Sequence, residues 1–394
     1  MPSVTVAIVA GEASGDNLGS GLMAELRARC PDVRFIGIGG PNMEAQGLDS
    51  LVPMDALAVN GFVDPIRRLP ALIRILRLLL ARIRAERPAV LVGVDFNVFN
   101  LLLERRVRRS GIATVHYVSP SVYAWRRGRV RRIARAADML LALYPFEPAF
   151  YSGTPVRAVF VGHPLADAIA PDAGSPAARL AARRALGLPG DALVVALLPG
   201  SRLSEVRLMG TVFLEAARLL AAQRPDVRFV VPCLRPAIAA WLAEAGTAYP
   251  DLALSAYEGN ARQALTACDG ALVKSGTSTL EAMLLRRPMV VSYRLGAVTY
   301  WIVRRMLRTP FVALPNILAG RRLVPELLQD AATPAALAAA LVAELDKARA
   351  EPEYLAEFER LHLLLRRHAD ARAAEAVAAW LPASAQRETE RSHP

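Results

Sequence analysis

Two short loops in the second half of the chain carry residue types that suit phosphate binding. Gly200-Ser201-Arg202 lies between an apolar run and a helix-like segment, where glycine permits close backbone approach and the serine and arginine can donate hydrogen bonds. Lys274-Ser275-Gly276-Thr277-Ser278 follows a later apolar run, with Glu281 one turn into the next helix. A carboxylate at that point can accept the hydroxyls of a ribose. Together the two loops favour a nucleoside diphosphate as the ligand.

Other interpretations of these loops remain open from the residues alone. Ser275–Thr279, followed by Glu281, also fits a helix capping box, in which hydroxyl and carboxylate groups satisfy the first backbone N–H groups of a helix. The loop at Gly11 does not match G-x-G-x-x-G, and the mid-chain loop does not match G-x-x-x-x-G-K-[ST]. These mismatches argue against NAD or ATP as the ligand.

The elements that must position the loops alternate between strands and helices. Val4–Ala10 and Ala192–Leu198 are apolar without alternation, which is typical of parallel strands covered on both faces, and each leads into a small polar loop. Because ligands bind outside the carboxyl ends of such strands, two Rossmann-like parallel-sheet domains facing across a cleft are predicted. Further strands are predicted at 33–38, 90–94, 113–118, 139–143, 158–161, 227–231, 270–273 and 288–292.

A turn-rich segment at 171–176 separates the two halves of the 394-residue chain, which is long enough for two full cores. We therefore expect one Rossmann-like domain at 1–166 and a second, with both phosphate-type loops, at 167–345. Residues 346–394 should form C-terminal helices and a frayed tail. We expect these helices to pack back on the first domain or on a partner subunit.

Composition narrows the class of protein. The chain is 54% hydrophobic with a net charge of +12, which suggests an anionic partner such as a phosphate, a membrane or a nucleic acid. The three cysteines have no CxxC spacing and no histidine partner, which argues against a zinc site or a disulfide framework. No export signal or membrane-spanning run is indicated, so we expect a cytoplasmic protein.

One predicted helix, Ile66–Arg84, is both amphipathic and basic. Its leucine face could pack on the sheet of its own domain, which is the common case, or could insert into an anionic membrane surface while the arginines meet lipid phosphates. The membrane interpretation uses Leu69, Leu72, Ile73, Leu76 and Leu79 on the apolar face with Arg74 and Arg77 on the basic one.

Seven ordered motifs together resemble the lipid-A-disaccharide synthase family, membrane-associated glycosyltransferases with two facing Rossmann-like domains, the GT-B arrangement. The similarity runs through nearly the whole chain. The motifs are residues 9–16, 116–126, 145–147, 161–164, 197–202, 275–281 and 314–320, which read VAGEASGD, HYVSPSVYAWR, PFE, VGHP, LLPGSR, SGTSTLE and LPNILAG.

The resemblance implies an inverting, metal-independent transfer of 2,3-diacylglucosamine from UDP-2,3-diacylglucosamine to 2,3-diacylglucosamine 1-phosphate. The products would be a β-1,6-linked disaccharide 1-phosphate and UDP, in lipid A and lipopolysaccharide biosynthesis of a Gram-negative bacterium. The resemblance further implies no cofactor, peripheral association with the cytoplasmic face of the inner membrane, and a homodimer.

The acceptor hydroxyl must lose a proton as it attacks, and the departing UDP gains negative charge that needs prepared donors. Asp95 matches the family's Gly-Ile-Asp motif and is the expected general base, although the residue alone also fits a turn or helix cap. Arg202 and Lys274 should bind the diphosphate, Glu281 the ribose, and Asn316 the nucleotide or sugar. Residues expected at the acceptor or the cleft are Glu12, Ser14, Asp16, Ser119 and Tyr123, with helix capping as the alternative for Ser14 and Asp16.

The chain departs from the family after Asp95. The family usually continues Ala-Pro-Asp-Phe-Asn, whereas this chain reads Phe96-Asn97-Val98-Phe99-Asn100, so that Val98 stands where the second carboxylate is usual.

Two other functions remain open beside that of the synthase family. One is another UDP-sugar enzyme of the same architecture, such as a peptidoglycan-type transferase or a 2-epimerase, and the other is a non-enzymatic basic module that binds RNA or membrane.

Overall fold

Apolar runs without alternation form parallel strands, as the sequence predicts. The computed structural model describes residues 4–57, 65–120, 127–296 and 309–383, without the side chains of 65–68 and 127. The chain divides into two units, Met1–Asp167 together with Leu365–Pro394, and Ala168–Leu364. Each unit contains one parallel sheet, and these two sheets confirm the predicted α/β fold class.

The sheet of the first unit has seven parallel strands in the order β3-β2-β1-β4-β5-β6-β7. The order reverses between β1 and β4, which is the switch point where ligands bind in such sheets. The strands are β1 Thr5–Ala10, β2 Arg34–Ile38, β3 Leu48–Ser50, β4 Val90–Val94, β5 Ala113–Tyr117, β6 Met139–Ala142 and β7 Arg157–Phe160.

The sheet of the second unit repeats this arrangement with six parallel strands in the order β10-β9-β8-β11-β12-β13. Its switch point lies between β8 and β11. The strands are β8 Val194–Leu198, β9 Arg228–Cys233, β10 Leu254–Glu258, β11 Gly270–Lys274, β12 Met289–Tyr293 and β13 Glu326–Leu328.

Helices connect the strands and cover both faces of each sheet. In chain order they are α1 Ala13–Arg29, α2 Pro41–Ala45, α3 Pro65–Glu86, α4 Asn97–Arg108, α5 Arg127–Ala136, α6 Pro164–Ala168, α7 Pro176–Ala185, α8 Leu203–Gln223, α9 Pro236–Gly246, α10 Ala261–Ala267, α11 Thr277–Leu284, α12 Leu314–Ala319, α13 Pro334–Ala350, α14 Pro352–Leu365 and α15 Ala369–Ala378. Short 3-10 turns lie at Met54–Ala56, Pro148–Tyr151 and Gln329–Ala331.

Strand β1 shows why its sequence has no polar alternation. Val6 and Ile8 pack with α1 and α15 on one face, while Ala7 and Val9 pack with α3 and α4 on the other. Successive side chains of a strand point to opposite faces, so a strand with helices on both sides buries every residue. The apolar run is therefore a direct consequence of the two-sided packing.

The C-terminal helices are shared between the two units. Helices α13 and α14 belong to the second unit, whereas α15 packs on α1 of the first. The carboxylate of Asp167 accepts backbone hydrogen bonds from His368 and Ala369 at 2.9 and 2.6 Å and so fixes the start of α15. The predicted segment 346–394 thus contributes to both units, and its last described helix packs back on the first as expected.

Candidate nucleotide-binding site and acceptor-side residues

The two predicted phosphate loops lie together in the second unit. They follow β8 and β11, which are hydrogen-bonded neighbours, and line a cleft of about 290 Å³ at the carboxyl ends of these strands. The predicted residues that line the cleft are Gly200, Ser201, Lys274, Ser275, Gly276, Thr277, Ser278 and Glu281. Arg202 stands beside it as the residue before α8, with 73% of its side chain exposed.

Gly200 is required by the shape of the first loop. Its φ is +145°, a conformation that residues with a Cβ rarely adopt. A Cβ at this position would lie 2.6 Å from the Cβ of Glu205. Glycine therefore allows α8 to begin directly at the rim of the cleft.

Helices α8 and α11 both begin at the cleft, and no side chain caps either N-terminus among the described residues. Thr279 donates its hydroxyl back to the carbonyl of Gly276 at 2.8 Å, and Ser275 donates to the carbonyl of Val312 at 3.2 Å. These bonds differ from a capping box, in which the side chains would accept from the first N–H groups. Two uncapped helix N-termini beside basic side chains form a suitable site for an anion.

Glu205 joins the two loops and was missed by the sequence analysis. Its carboxylate accepts a 3.0 Å hydrogen bond from Lys274 and a 3.2 Å hydrogen bond from the backbone N–H of Ser201. Burial opposes ionisation of Glu205, but the hydrogen bond and charge of Lys274, with Ser201 and Arg202, lower its pKa below the usual value. Its position one turn into α8 is the signal that could have revealed it.

Lys274 is oriented by two partners. Besides Glu205, its ammonium lies 4.7 Å from the centroid of the Tyr293 ring at the end of the neighbouring strand β12. A cation at this distance is attracted by the ring face. The charge is therefore held at the cleft wall.

Glu281 also lies in the cleft, in the first half of α11. Burial raises its pKa above the usual value, while the charge of Arg262, 3.6 Å away, acts in the opposite direction. Its remaining hydrogen-bonding capacity suits hydroxyl donors such as those of a ribose. Arg262 was not among the residues singled out from the sequence.

Asn316 is placed differently from the other predicted nucleotide contacts. Its side chain is fully buried, and its amide nitrogen donates to the carbonyl of Val324 at 2.9 Å and to Glu326 at 2.8 Å. Its amide oxygen accepts from the N–H groups of Leu323 and Val324 at 2.7 and 2.8 Å. The side chain thus holds the chain between α12 and β13 in place and is not part of the cleft wall.

In the first unit, Asp95 lies at the switch point of the sheet. It directly follows β4, whose last residue pairs with Ala10 at the end of β1. Asp95 and Phe96 both adopt left-handed backbone conformations, with φ of +48° and +46°. Two such residues in succession are uncommon outside glycine, and strain of this kind clusters at functional sites.

The first predicted loop adjoins Asp95, but its residues have different roles. A Cβ on Gly11 would overlap the ring of Phe96, so the two loops are in contact. Glu12 and Ser14 are exposed. Asp16 is buried, and its carboxylate accepts the N–H groups of Gly40, Asn42 and Met43 at 2.9 to 3.0 Å, which caps the start of α2.

The remaining acceptor-side predictions fall on buried or undescribed positions. Ser119 is buried and its hydroxyl lies 2.9 Å from that of Tyr151, within the interior of the first unit. Tyr123 lies outside the described residues. Val98, which stands at the usual carboxylate position, is 90% exposed on the first turn of α4.

The predicted membrane face of α3 is exposed near the start of the helix and buried further along it. Leu76 and Leu79 are buried in the core between α3, α4 and the sheet, which removes them from any surface. Leu69 and Ile73, one to two turns earlier, are 53% and 40% exposed, and Leu72 is partly covered. Arg74 and Arg77 are exposed. Residues on one apolar stripe of a helix are covered only where the sheet lies beneath them. The expected membrane face is therefore corrected for Leu76 and Leu79, which lie over the sheet.

The described residues contain no group of three or more histidine, cysteine, aspartate or glutamate side chains arranged to bind a metal ion. No helix among them combines the length and the apolar character that crossing a membrane requires.

Comparison with known proteins assigns the chain to a family. A family model described as lipid-A-disaccharide synthetase matches residues 6–377. The lipid-A-disaccharide synthase of Pseudomonas aeruginosa (strain UCBPP-PA14) is 51% identical over 374 residues, which cover 94% of this chain and 97% of that relative.

Solved structures of low identity show the same two-domain fold and no more than the fold. The UDP-GlcNAc 2-epimerase of Neisseria meningitidis, bound to UDP-GlcNAc, has a TM-score of 0.63 at 12% identity and covers 96% of this chain and 99% of its own. MurG of Acinetobacter baumannii has a TM-score of 0.55 at 14% identity, with coverage of 96% and 98%. The family match and the 51% identical relative, in contrast, confirm the resemblance noted in the motifs: the chain belongs to the lipid-A-disaccharide synthetase family.

Proposed function

We propose that the protein transfers 2,3-diacylglucosamine from its UDP donor to 2,3-diacylglucosamine 1-phosphate, forming the β-1,6-linked disaccharide and UDP. The observation that carries the nucleotide part of this proposal is the cleft between the N-termini of α8 and α11, lined by Lys274 and Glu281. Family membership supports the choice of the acylated sugars as donor and acceptor.

Two groups of residues perform the reaction in this proposal. Asp95 accepts the proton of the acceptor hydroxyl as that oxygen attacks the anomeric carbon with inversion. Lys274, Arg202 and the free N–H groups of the two helices stabilise the negative charge that develops on the departing UDP, and Glu281 binds the ribose. In this proposal protein groups compensate the charge on the leaving group, and independence from metals and cofactors remains a prediction.

The test follows UDP release and disaccharide formation with both acylated substrates and the purified protein. Replacing Asp95 by Asn should reduce kcat by about 100-fold or more, because a positioned base typically contributes 10²- to 10⁴-fold. Asp49→Asn, an exposed carboxylate on β3 of the same sheet, is the matched control and should retain native activity. Full activity in Asp95→Asn would remove the assignment of the base, and no disaccharide from the native protein would remove the function.

We also propose that the start of α3 contacts an anionic membrane surface. Support comes from the exposed Leu69 and Ile73, which lie beside Arg74 and Arg77 on the same helix. Apolar side chains next to arginines suit the boundary between acyl chains and lipid phosphates. Such contact would bring the protein to the membrane in which acylated substrates dissolve, at the cytoplasmic face of the inner membrane.

Flotation with vesicles of phosphatidylethanolamine and phosphatidylglycerol tests this surface. The double variant Leu69→Ser with Ile73→Ser should float less than the native protein. Leu78→Ser is the matched control, because Leu78 is 49% exposed on the same helix but lies roughly 140° to 180° around its axis from the other two. Equal loss of flotation in both variants would contradict the assigned face. The homodimer stays a prediction, for which sedimentation equilibrium is the measurement.

A further inference from the structure

A series of hydrogen-bonded side chains leads from the interior of the first unit to Asp95. Glu104 of α4 and His116 of β5 are completely buried, and Glu104 Oε1 lies 2.7 Å from His116 Nδ1. His116 Nε2 lies 3.1 Å from the Oδ1 of Asn97, the first residue of α4. The amide nitrogen of Asn97 donates to Asp95 Oδ1 at 3.2 Å.

Two of these three hydrogen bonds have a defined direction, from His116 to Asn97 and from Asn97 to Asp95. Asn97 must present its oxygen to His116 if its nitrogen donates to Asp95, so His116 Nε2 carries a hydrogen. Burial raises the pKa of Glu104 above its usual value, with the charge and hydrogen bond of His116 opposing the rise. Whether the proton between Glu104 and His116 Nδ1 resides on oxygen or nitrogen, Nε2–H still donates to Asn97.

The backbone around Asp95 is held by a second amide. The Nδ2 of Asn100 lies 3.1, 3.2 and 2.8 Å from the carbonyl oxygens of Val9, Val94 and Asp95. These contacts fix the left-handed turn at Asp95 to the ends of β1 and β4. The carboxylate is therefore located both through its backbone and through its Oδ1.

Stability alone gives a poor account of the Glu104–His116 pair. Removing two ionisable groups from water costs several kcal/mol, and a buried pair of this kind is weak evidence for a stabilising role. Glu104 Oε2 has no hydrogen-bond partner among the described residues. A Cβ on Gly93 would overlap Glu104 Oε1, so β4 has a glycine where the pair needs space. Buried polar groups that are incompletely satisfied call for an explanation beyond packing.

We propose that Glu104, His116 and Asn97 are positioning residues that orient the Asp95 carboxylate for proton abstraction. These three residues are called the relay below. Asn97 occupies Oδ1 and so leaves Oδ2 for the acceptor hydroxyl, while Glu104 and His116 fix the orientation of the Asn97 amide. This inference rests on the proposed function, in which Asp95 is the general base.

Asn97, the relay residue that contacts Asp95, differs from the residue that is usual in the family. Asn97 stands where the family pattern has proline, next to Val98 where it has aspartate. Proline has no side-chain donor and could not connect His116 to Asp95. The relay thus gives this chain its own route from the buried pair to the base.

Asn97 offers the most direct test because its side chain is only partly buried. Asn97→Ala should lower kcat roughly 10-fold to 100-fold, the range typical for supporting partners around a site, with the KM for both substrates unchanged. Asn97→Asp should lower kcat at least as far, because it places a second carboxylate beside Asp95. A carboxylate in the first turn of α4 favours the helix, so the unfolding temperature of Asn97→Asp should not fall. A structural role for Asn97 would lower stability and activity together.

Variants of Glu104 test the buried part of the relay. Glu104→Leu removes the partner of His116 Nδ1 and should reduce kcat about 10-fold or more. Glu104→Gln keeps both the volume and a hydrogen bond to Nδ1, and should restore kcat relative to Glu104→Leu. Calorimetry and circular dichroism identify any variant that does not fold. If a Glu104 variant does not fold, the kcat values of Asn97→Ala and Asn97→Asp test the proposal instead. Equal kcat in the Leu and Gln variants would overturn the role of Glu104.

Asp95→Asn separates failure of this inference from failure of the proposed function. If Asp95→Asn retains native kcat, the base assignment fails and the relay fails with it. If Asp95→Asn is inactive while Asn97→Ala has native kcat, the relay alone is wrong. In the Asp95→Asn background, Asn97→Ala should cause no further loss, since residues that act as a unit are not additive.

Discussion

The ammonium of Lys274 donates a 3.0 Å hydrogen bond to the carboxylate of Glu205, although the two residues lie 69 positions apart in the sequence. Lys274 ends β11 and Glu205 lies in the first turn of α8, so this bond joins the two strand-to-helix connections that line the cleft. A diphosphate that enters the cleft meets both side chains, and mutation should separate the effects of their opposite charges on its affinity.

Lys274→Met and Glu205→Gln should change UDP affinity in opposite directions. Loss of the ammonium should weaken binding about 10-fold, since a hydrogen bond to a charged group contributes about 1.5–3 kcal/mol. Glu205→Gln removes a negative charge near the diphosphate while retaining an acceptor for the Ser201 N–H, and should tighten binding a few-fold. Titration calorimetry with UDP is the measurement. Weaker binding by Glu205→Gln would mean that this carboxylate mainly orients Lys274.

Arg202→Ala should weaken UDP binding by about 10-fold or more, because it removes a charged hydrogen-bond donor to the diphosphate. The side chain is 73% exposed, so the unfolding temperature should stay within error of the native value. Arg218→Ala is the matched control, because Arg218 lies within α8, the helix that follows Arg202, and is 51% exposed and paired with Glu215. An unchanged dissociation constant for Arg202→Ala would exclude its role at the diphosphate.

Asn316→Ala should reduce stability. The substitution leaves the N–H groups of Leu323 and Val324 without a partner, at a cost of about 1–3 kcal/mol for each buried group. Asn260→Ala provides a comparison at the cleft, where loss of a helix cap typically costs about 1 kcal/mol. Differential scanning calorimetry compares the two variants. A native unfolding temperature with lost UDP affinity in Asn316→Ala would instead support the ligand contact expected from the sequence.

His163 should make the first unit sensitive to acid. Desolvation lowers the pKa of its ring to about 4, with the charge of Asp167 opposing the shift, and its Nδ1 accepts the N–H of Leu165 at 3.1 Å. Because the folded pKa lies below the unfolded value, this contribution to stability is complete above about pH 6.5 and is lost as the pH falls toward 4. The maximum loss is about 1.4 kcal/mol per pH unit.

The variant His163→Asn isolates this effect. Asparagine keeps an acceptor for the Leu165 N–H but does not titrate. Between pH 7 and pH 5, the unfolding temperature of the variant should fall less than that of the native protein in calorimetric scans. Parallel curves for the two proteins would show that His163 does not contribute to the acid sensitivity.

Local sequence patterns were sufficient for the central strands and for locating the two loops that line the cleft. β1 from Val6 onwards and β8 throughout are covered on both faces and therefore consist of apolar residues without interruption. The edge strands β3, β10 and β13 were missed because they are only partly buried and lack an apolar run, and β3 and β13 have just three residues each. Glycine and hydroxyl residues after a buried strand predict an anion site, since the geometry of the strand-to-helix turn is local.

The sequence by itself determined the fold class, the family and the two loops that line the cleft. Only the tertiary structure decided which polar and apolar side chains face inward. Asp16 caps a neighbouring helix, Asn316 supports a loop, and Leu76 lies in the core, although their residue types suit a surface role equally well. Glu104 and His116 meet in the same way, across α4 and β5. The partner of a side chain depends on contacts between segments distant in sequence, and periodicity along one segment carries no information about them.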